Sequence, residues 1–228
     1  MDRRRFCSSV GALGATIGTA GCMGTLGSGG SEKTVLNPPD QDLSEAAHPS
    51  YGDEMPAFTA PDPITDETVS IEEHEGEQAV VWTSFYTNCP DGVCPALILR
   101  LRRAQEAAAE DGYGDDVSFL ALTFDPERDT AAVLREYANQ QGVNLDAGNW
   151  HFLRPDSYER GQELLDENFG LLIEKAPADQ YDNLEYQFPH YGLILLANKQ
   201  GIVERAYPRG PKTDIEQLVE DVKRVATA

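Results

Sequence analysis

Cys89 and Cys94 are the residues of this chain best placed to do chemistry. They lie in the run SFYTNCPDGVCP, residues 84–95, separated by Pro90-Asp91-Gly92-Val93. An apolar run ends at Tyr86 just before them, and Pro95 follows directly after. Proline is favoured in the first turn of a helix, where its missing N–H has no partner to lose. The pair is therefore expected at a strand-to-helix corner, with Cys94 at or near the helix N-cap. Partial positive charge at a helix start favours the thiolate, the form that attacks disulfides and binds metals. A turn at Asp91-Gly92 that brings the two Cα atoms within about 7 Å would allow a disulfide. The same turn could aim both sulfurs at one metal ion. A purely structural staple is a weak reading, because a loop this short restrains little of the unfolded chain. A third residue of interest, His190, stands far off in sequence, between Pro189 and an apolar run.

The elements that must position these residues can be read from periodicity. Residues 79–86 are almost continuously apolar, with β-branched and aromatic side chains, which predicts a central strand covered on both faces. After Pro95, the residues Leu97, Leu101, Ala104 and Ala108 form one apolar stripe. This predicts an amphipathic helix, ended by Asp111-Gly112. Residues 117–123 read as a second buried strand. Phe124-Asp125-Pro126 then leads to a helix near residues 130–140, with Val133, Leu134 and Tyr137 inward. Asp125 reads as a turn former ahead of Pro126, although it could also lie near the thiols. Residues 150–153 read as a short strand. Asp156-Ser157-Tyr158-Glu159 reads as a capping box that opens a helix ending at Gly170. Residues 171–188 have no clear period and suggest a loop or irregular hairpin. A strand at 191–197 turns through Asn198 to Gly201 into an antiparallel strand at 202–207. A second capping box, Thr213-Asp214-Ile215-Glu216, opens the last helix. Near the start, residues 56–59 and 68–71 read as short strands around a proline-rich turn.

Strand–helix alternation followed by a hairpin and a final helix predicts one α/β unit, a mixed central sheet with flanking helices. This is the pattern of a thioredoxin-like fold. Open α/β sheets place their ligands beyond the C-terminal ends of central strands, where the two cysteines fall. In such a sheet the loop before the strand at 191 approaches the same corner. His190 would then complete a Cys-Cys-His set; otherwise it is a packed strand-edge histidine. Two thiolates and an imidazole suit copper, Cu(I) especially, and can also hold Cu(II). Zinc in a closed structural site would want a fourth ligand. The other histidines read as bystanders: His48 in a solvated linker, His74 on an acidic surface corner, and His151 packed or on the surface.

The chain as a whole narrows the function classes. Its 228 residues suffice for one medium domain and a tail. A net charge of −21, from 39 acidic and 18 basic residues, excludes nucleic acid as a partner, since phosphates demand Lys and Arg. The same balance disfavours broad attraction to anionic lipid. It fits an acidic surface adapted to high salt, and hence a salt-loving source, as do five Lys against 13 Arg. Residues 1–21 read as a signal peptide, too short and glycine-rich to span a bilayer. Arg3-Arg4-Arg5-Phe6 resembles the twin-arginine export motif, with Asp2 where Ser or Thr is usual. Thr19-Ala20-Gly21-Cys22 resembles a lipobox, which predicts lipidation of Cys22. Residues 22–54 then form a flexible acidic tether, and residues 55–228 the domain. The expected location is outside the cytoplasm, anchored to the outer face of the cell membrane. Cys7 leaves with the signal, so only Cys89 and Cys94 remain in the folded part. A close pair in an exported protein implies a disulfide or a metal site.

Three features together resemble the Sco/SenC family of thioredoxin-like copper proteins. They are SFYTNCPDGVCP at 84–95, TFDPERDT at 123–130, and the late His190 before a strand. The resemblance covers about residues 55–225. It implies copper binding through Cys89, Cys94 and His190, and a role in assembling the dinuclear copper site of cytochrome c oxidase. The partner implied is the copper-bearing subunit of that oxidase, served by copper donation, by thiol-disulfide reduction, or both. Two departures stand out. The family usually has three residues between the cysteines, and this chain has four. The family also favours Asp-His-Ser around the histidine, against Pro189-His190-Tyr191 here, which removes an acidic neighbour that would orient the imidazole. Thioredoxin-like folds often carry a cis proline facing the thiols, a place Pro189 would fill. The chain thus reads as a membrane-tethered metallochaperone rather than an enzyme. The alternatives are a thiol-disulfide oxidoreductase, whose usual spacing is two residues, and a redox or copper sensor.

Overall fold

A computed structural model describes residues 33–228. The expected signal peptide and Cys22 lie outside the described residues. The chain forms β1 (Thr59–Asp62), β2 (Glu67–Ser70), β3 (Ala79–Phe85), α1 (Val93–Asp111), β4 (Val117–Thr123), α2 (Ala131–Gln141), β5 (Trp150–Leu153) and α3 (Tyr158–Phe169). It continues with β6 (Ala176–Pro177), β7 (Tyr186–Gln187), β8 (Ile194–Ala197), β9 (Val203–Tyr207) and α4 (Ile215–Ala226). Five strands make the central sheet, in the order β5-β4-β3-β8-β9. β3, β4 and β5 run parallel, with Val81 opposite Phe119 and Phe119 opposite Trp150. β8 is antiparallel to β3, and β9 to β8. Every residue of β3 and β4 is buried, as expected of predominantly apolar strands covered on both faces. Helices α1 and α4 pack together against the sheet, and Trp82 of β3 stacks on Phe169 at the end of α3. The result is the mixed α/β, thioredoxin-like architecture that the element order predicts.

Gly92, at φ 79°, takes the N-cap of α1, and Cys94 lies two residues on, in the first turn and near the cap as expected. Several boundaries differ from expectation for local reasons. Ser157, not Asp156, caps α3 by accepting the Arg160 N–H. The first hairpin falls at β1 and β2, a few residues beyond the first expected strand, and the Arg154 N–H ties its Pro61 carbonyl to the end of β5 at 2.8 Å. The irregular segment 171–188 contains a minimal antiparallel pair, β6 with β7. β8 begins only at Ile194. The residues before it are drawn instead toward a short 3-10 turn, Gly210–Lys212. The Gly210 N–H donates to the Gly192 carbonyl at 2.8 Å, and a Cβ on Gly192 would lie 2.7 Å from Pro211. No cis peptide occurs among the described residues, so Pro189 is trans.

Residues 33–54, expected within a flexible tether, are packed along the edge of the sheet. Glu204 of β9 is fully buried and accepts the N–H groups of Val35 at 2.6 Å and Leu36 at 2.9 Å. Asn198 donates to the same carboxylate and to the Lys33 carbonyl. Gly52 and Asp53 exchange backbone hydrogen bonds with Val203, which covers an otherwise open strand edge. His48, expected in solvent, is buried and stacks against Tyr191 with ring centres 6.3 Å apart. His74 is also buried, with Nδ1 2.9 Å from the Gln78 amide oxygen. No described helix is long and apolar enough to cross a membrane.

Candidate metal centre

The thiol corner is built where β3 gives way to α1. Asp91 shapes the turn: its carboxylate accepts the Val93 N–H at 3.1 Å and the Cys89 thiol at 2.9 Å. The Cys94 N–H points at the Cys89 sulfur at 3.3 Å, and the Tyr86 N–H at the Cys94 sulfur at 3.4 Å. Backbone donors thus face both sulfurs, as sites for anionic sulfur require. Both cysteines are free; Cys89 is partly exposed and Cys94 is wholly buried.

The loop between β7 and β8 brings His190 to the same place. Its Nε2 lies 3.3 Å from the Cys94 sulfur. Its Nδ1 donates to the Phe188 carbonyl at 2.8 Å, which fixes the tautomer and leaves the Nε2 lone pair toward the sulfurs. Ligand atoms of Cys89, Cys94 and His190 all lie within 4.8 Å of one another. No other group of three His, Cys, Asp or Glu residues among the described ones meets that condition. The carbonyl answers one departure noted in the sequence: the backbone orients this imidazole where an acidic neighbour is missing. The cis bond expected at Pro189 is not needed for this, since the peptide is trans.

Aromatic rings wall the site. Tyr86 meets His190 edge-on at 5.5 Å, Phe124 lies 5.3 Å from it, and Phe188 packs on both Tyr86 and Phe124. Burial lowers the pKa of His190, so the ring is neutral near pH 7, as a ligand must be. Burial, reinforced by the neighbouring Cys89, pushes the Cys94 thiol well above its ordinary range. This reverses the expectation that a helix start would hold a thiolate at Cys94: removal from water outweighs the helix. Burial also tends to raise the Asp91 carboxyl. The Cys89 thiol and the Val93 N–H outweigh it and leave that group below its usual value.

Residues of the DPERDT run, 125–130, support the centre from behind. Asp125 does form the expected turn, accepting the N–H groups of Arg128 and Asp129. It is also fully buried, and its carboxylate accepts the Tyr186 hydroxyl at 2.9 Å and pairs with Arg128. Asp129, which the sequence did not single out, is buried under Thr87 and Thr123. Its only sequence signal is its place in the run. Nothing local says that it lies against a loop 42 residues away.

Fold and site define a thioredoxin-like domain with a Cys-Cys-His set suited to a soft metal ion. A family model described as SCO1/SenC matches residues 52–227, and the chain belongs to that family. Solved structures agree on the fold. A SCO1/SenC family lipoprotein from Bacillus anthracis is 24% identical, with a TM-score of 0.61, covering 76% of this chain and 95% of that one. Bradyrhizobium japonicum ScoI with copper bound is 22% identical, with a TM-score of 0.60, covering 76% and 99%. BsSco, described with a disulfide switch as a member of the Sco family of cytochrome c oxidase assembly proteins, is 23% identical. Its TM-score is 0.59, covering 76% and 94%. No curated protein sequence matches the chain.

Proposed function

We propose that this protein binds copper through Cys89, Cys94 and His190 and delivers it during assembly of the dinuclear copper site of cytochrome c oxidase. The observation that carries the reading is the convergence of two sulfurs and a neutral imidazole nitrogen within 4.8 Å. Membership of the SCO1/SenC family and the copper-bound Bradyrhizobium relative support it. Copper here is cargo. Cys89, partly exposed, is the ligand that an incoming thiolate of the oxidase subunit displaces first, and buried Cys94 lets go last. A signal peptide and a lipid on Cys22 would keep the domain at the outer face of the membrane, beside its recipient. The Bacillus anthracis relative is itself described as a lipoprotein.

The test is copper stoichiometry on the reduced protein, in high salt and without oxygen, beside Cys89→Ser, Cys94→Ser and His190→Ala. One tightly held copper is expected, lost in each cysteine variant and weakened in the histidine variant. An unmodified protein that retains no copper overturns the reading. A second reading, thiol-disulfide oxidoreductase, is favoured by the contact of the Cys94 N–H with the Cys89 sulfur and by the disulfide switch described for BsSco. Closing the disulfide gives up two electrons and two protons from the paired thiols to the substrate disulfide. That activity would survive His190→Ala, whereas copper delivery would not.

A further inference from the structure

Arg128 and Asp129 are adjacent in sequence, yet they reach to opposite sides of the metal centre. Asp129 is fully buried. Its carboxylate accepts the Thr87 N–H, at 3.2 Å to Oδ2 and 3.4 Å to Oδ1, and the hydroxyls of Thr87 and Thr123. Thr87 stands two residues before Cys89 on the loop leaving β3. Arg128 turns the other way. Its Nη1 donates to the Tyr186 carbonyl at 3.1 Å, and its guanidinium carbon lies 3.8 Å from the centre of the Tyr186 ring. Asp125 closes this side by pairing with Arg128 and accepting the Tyr186 hydroxyl. Tyr186 stands four residues before His190. One dipeptide therefore holds both segments that deliver the ligands.

We propose that Arg128 and Asp129 act together as a positioning pair that sets the distance between the thiol loop and the histidine loop. This rests on the Cys-Cys-His reading of the centre and deepens it. Neither residue supplies a ligand atom. A buried carboxylate and a partly buried guanidinium are a costly way to seat a turn, because apolar residues of similar volume are often as stable or more so. What they add is direction: each hydrogen bond fixes one segment at one place. Asp129 fixes the cysteine side through Thr87, and Arg128 fixes the histidine side through Tyr186. A ligand set already in place loses less freedom when the ion arrives, which tightens binding.

The test uses the reduced, metal-free full chain and two local probes. One is the rate at which iodoacetamide alkylates Cys89. The other is the pair of imidazole nitrogen resonances of His190. Thr87→Val and Asp129→Asn are expected to change the alkylation rate several-fold and to leave the His190 resonances in place. Arg128→Met is expected to shift the His190 resonances and spare the alkylation rate. Thr87→Ser, which keeps the hydroxyl, restores the original rate. Copper affinity, measured by competition with a chelator, should fall roughly tenfold or more in the three disruptive variants, as for residues that orient metal ligands. Folded variants whose local probes match the unmodified protein overturn the proposal, even if their melting temperature drops. So does a variant set in which both probes always move together, since that is general loosening. If the probes respond as expected while the unmodified chain holds no copper, the positioning pair stands and the copper reading falls.

Discussion

Cys94 is where local and tertiary forces oppose one another. The first turn of α1 favours its thiolate, and complete burial favours its thiol; burial wins. A bound cation reverses that balance by deprotonating the sulfur outright. Copper loading near pH 7 should therefore release at least the Cys94 proton. Calorimetry in buffers of different ionisation enthalpy reads this directly, and a binding heat independent of buffer would contradict it. Asp129 offers a second titration, away from the ligands. Burial raises its carboxyl from 3.8 to about 6, against the pull of the Thr123 and Thr87 hydrogen bonds. The folded state thus holds this proton more tightly than the unfolded chain. The stability it adds is fully present below pH 3.8 and is lost as the pH rises through about 6. That difference is worth about 3 kcal/mol. Denaturant unfolding of the unmodified protein should lose up to that much, relative to Asp129→Asn, between about pH 4 and pH 7. Parallel pH curves would contradict the assignment.

At the scale of elements, the turn between the cysteines depends on Gly92. Its φ of 79° lies in the left-handed region, and nothing stands within 4 Å of where a Cβ would be. The cost of Gly92→Ala is therefore conformational rather than steric, roughly 1 kcal/mol, while Gly92→Asn should cost less because asparagine tolerates that region. Urea unfolding of the two variants checks the order, and an alanine variant as stable as asparagine would refute it. Gly92 lies among the four residues between the cysteines, so the longer loop is accommodated by a glycine cap and by Asp91. A second element dependence lies at the sheet edge. Glu204→Ala would strip the buried acceptor from the Val35 and Leu36 N–H groups. Amide exchange at residues 35 and 36 should then quicken by an order of magnitude or more, consistent with the roughly 1–3 kcal/mol of an unsatisfied buried donor. Unchanged protection there would show that the segment is held by other contacts.

The whole molecule carries a net charge of −21. Some of its ion pairs, Lys223 with Asp111 and Arg160 with Glu163 among them, are exposed at both partners. Pairs of this kind each contribute about 1 kcal/mol or less. Against them stands repulsion among 39 acidic groups faced by 18 basic ones, which salt screens. Raising salt from about 0.1 M to about 1 M contracts the screening length from about 10 Å to about 3 Å. The melting temperature in potassium chloride should rise over that range. A flat or falling trend would remove the support for adaptation to high salt.

Much of the fold was legible because local physics wrote it. The almost continuous apolar run at 79–86 reads as a strand covered on both faces, and β3 is that strand. The stripe from Leu97 to Ala108 is the buried face of α1, and α4 starts where expected, with Asp214 rather than Thr213 as its cap. The cysteine pair showed itself through Pro95 and the strand before it. His190 was legible as a candidate ligand through the expected fold and, above all, family resemblance, since residue type alone favoured a packed histidine. The rest was decided by which distant loops meet once the sheet closes. Periodicity records which face of an element is buried, not which loop stands across from it. Asp129 finds Thr87 from 42 residues away and Arg128 finds Tyr186 from 58. Val35 reaches Glu204 from 169 residues away. The burial of Cys94, which overrides its helix, belongs to the same class. Tertiary structure alone decided these, because their energies come from desolvation and from hydrogen bonds between segments that sequence keeps far apart.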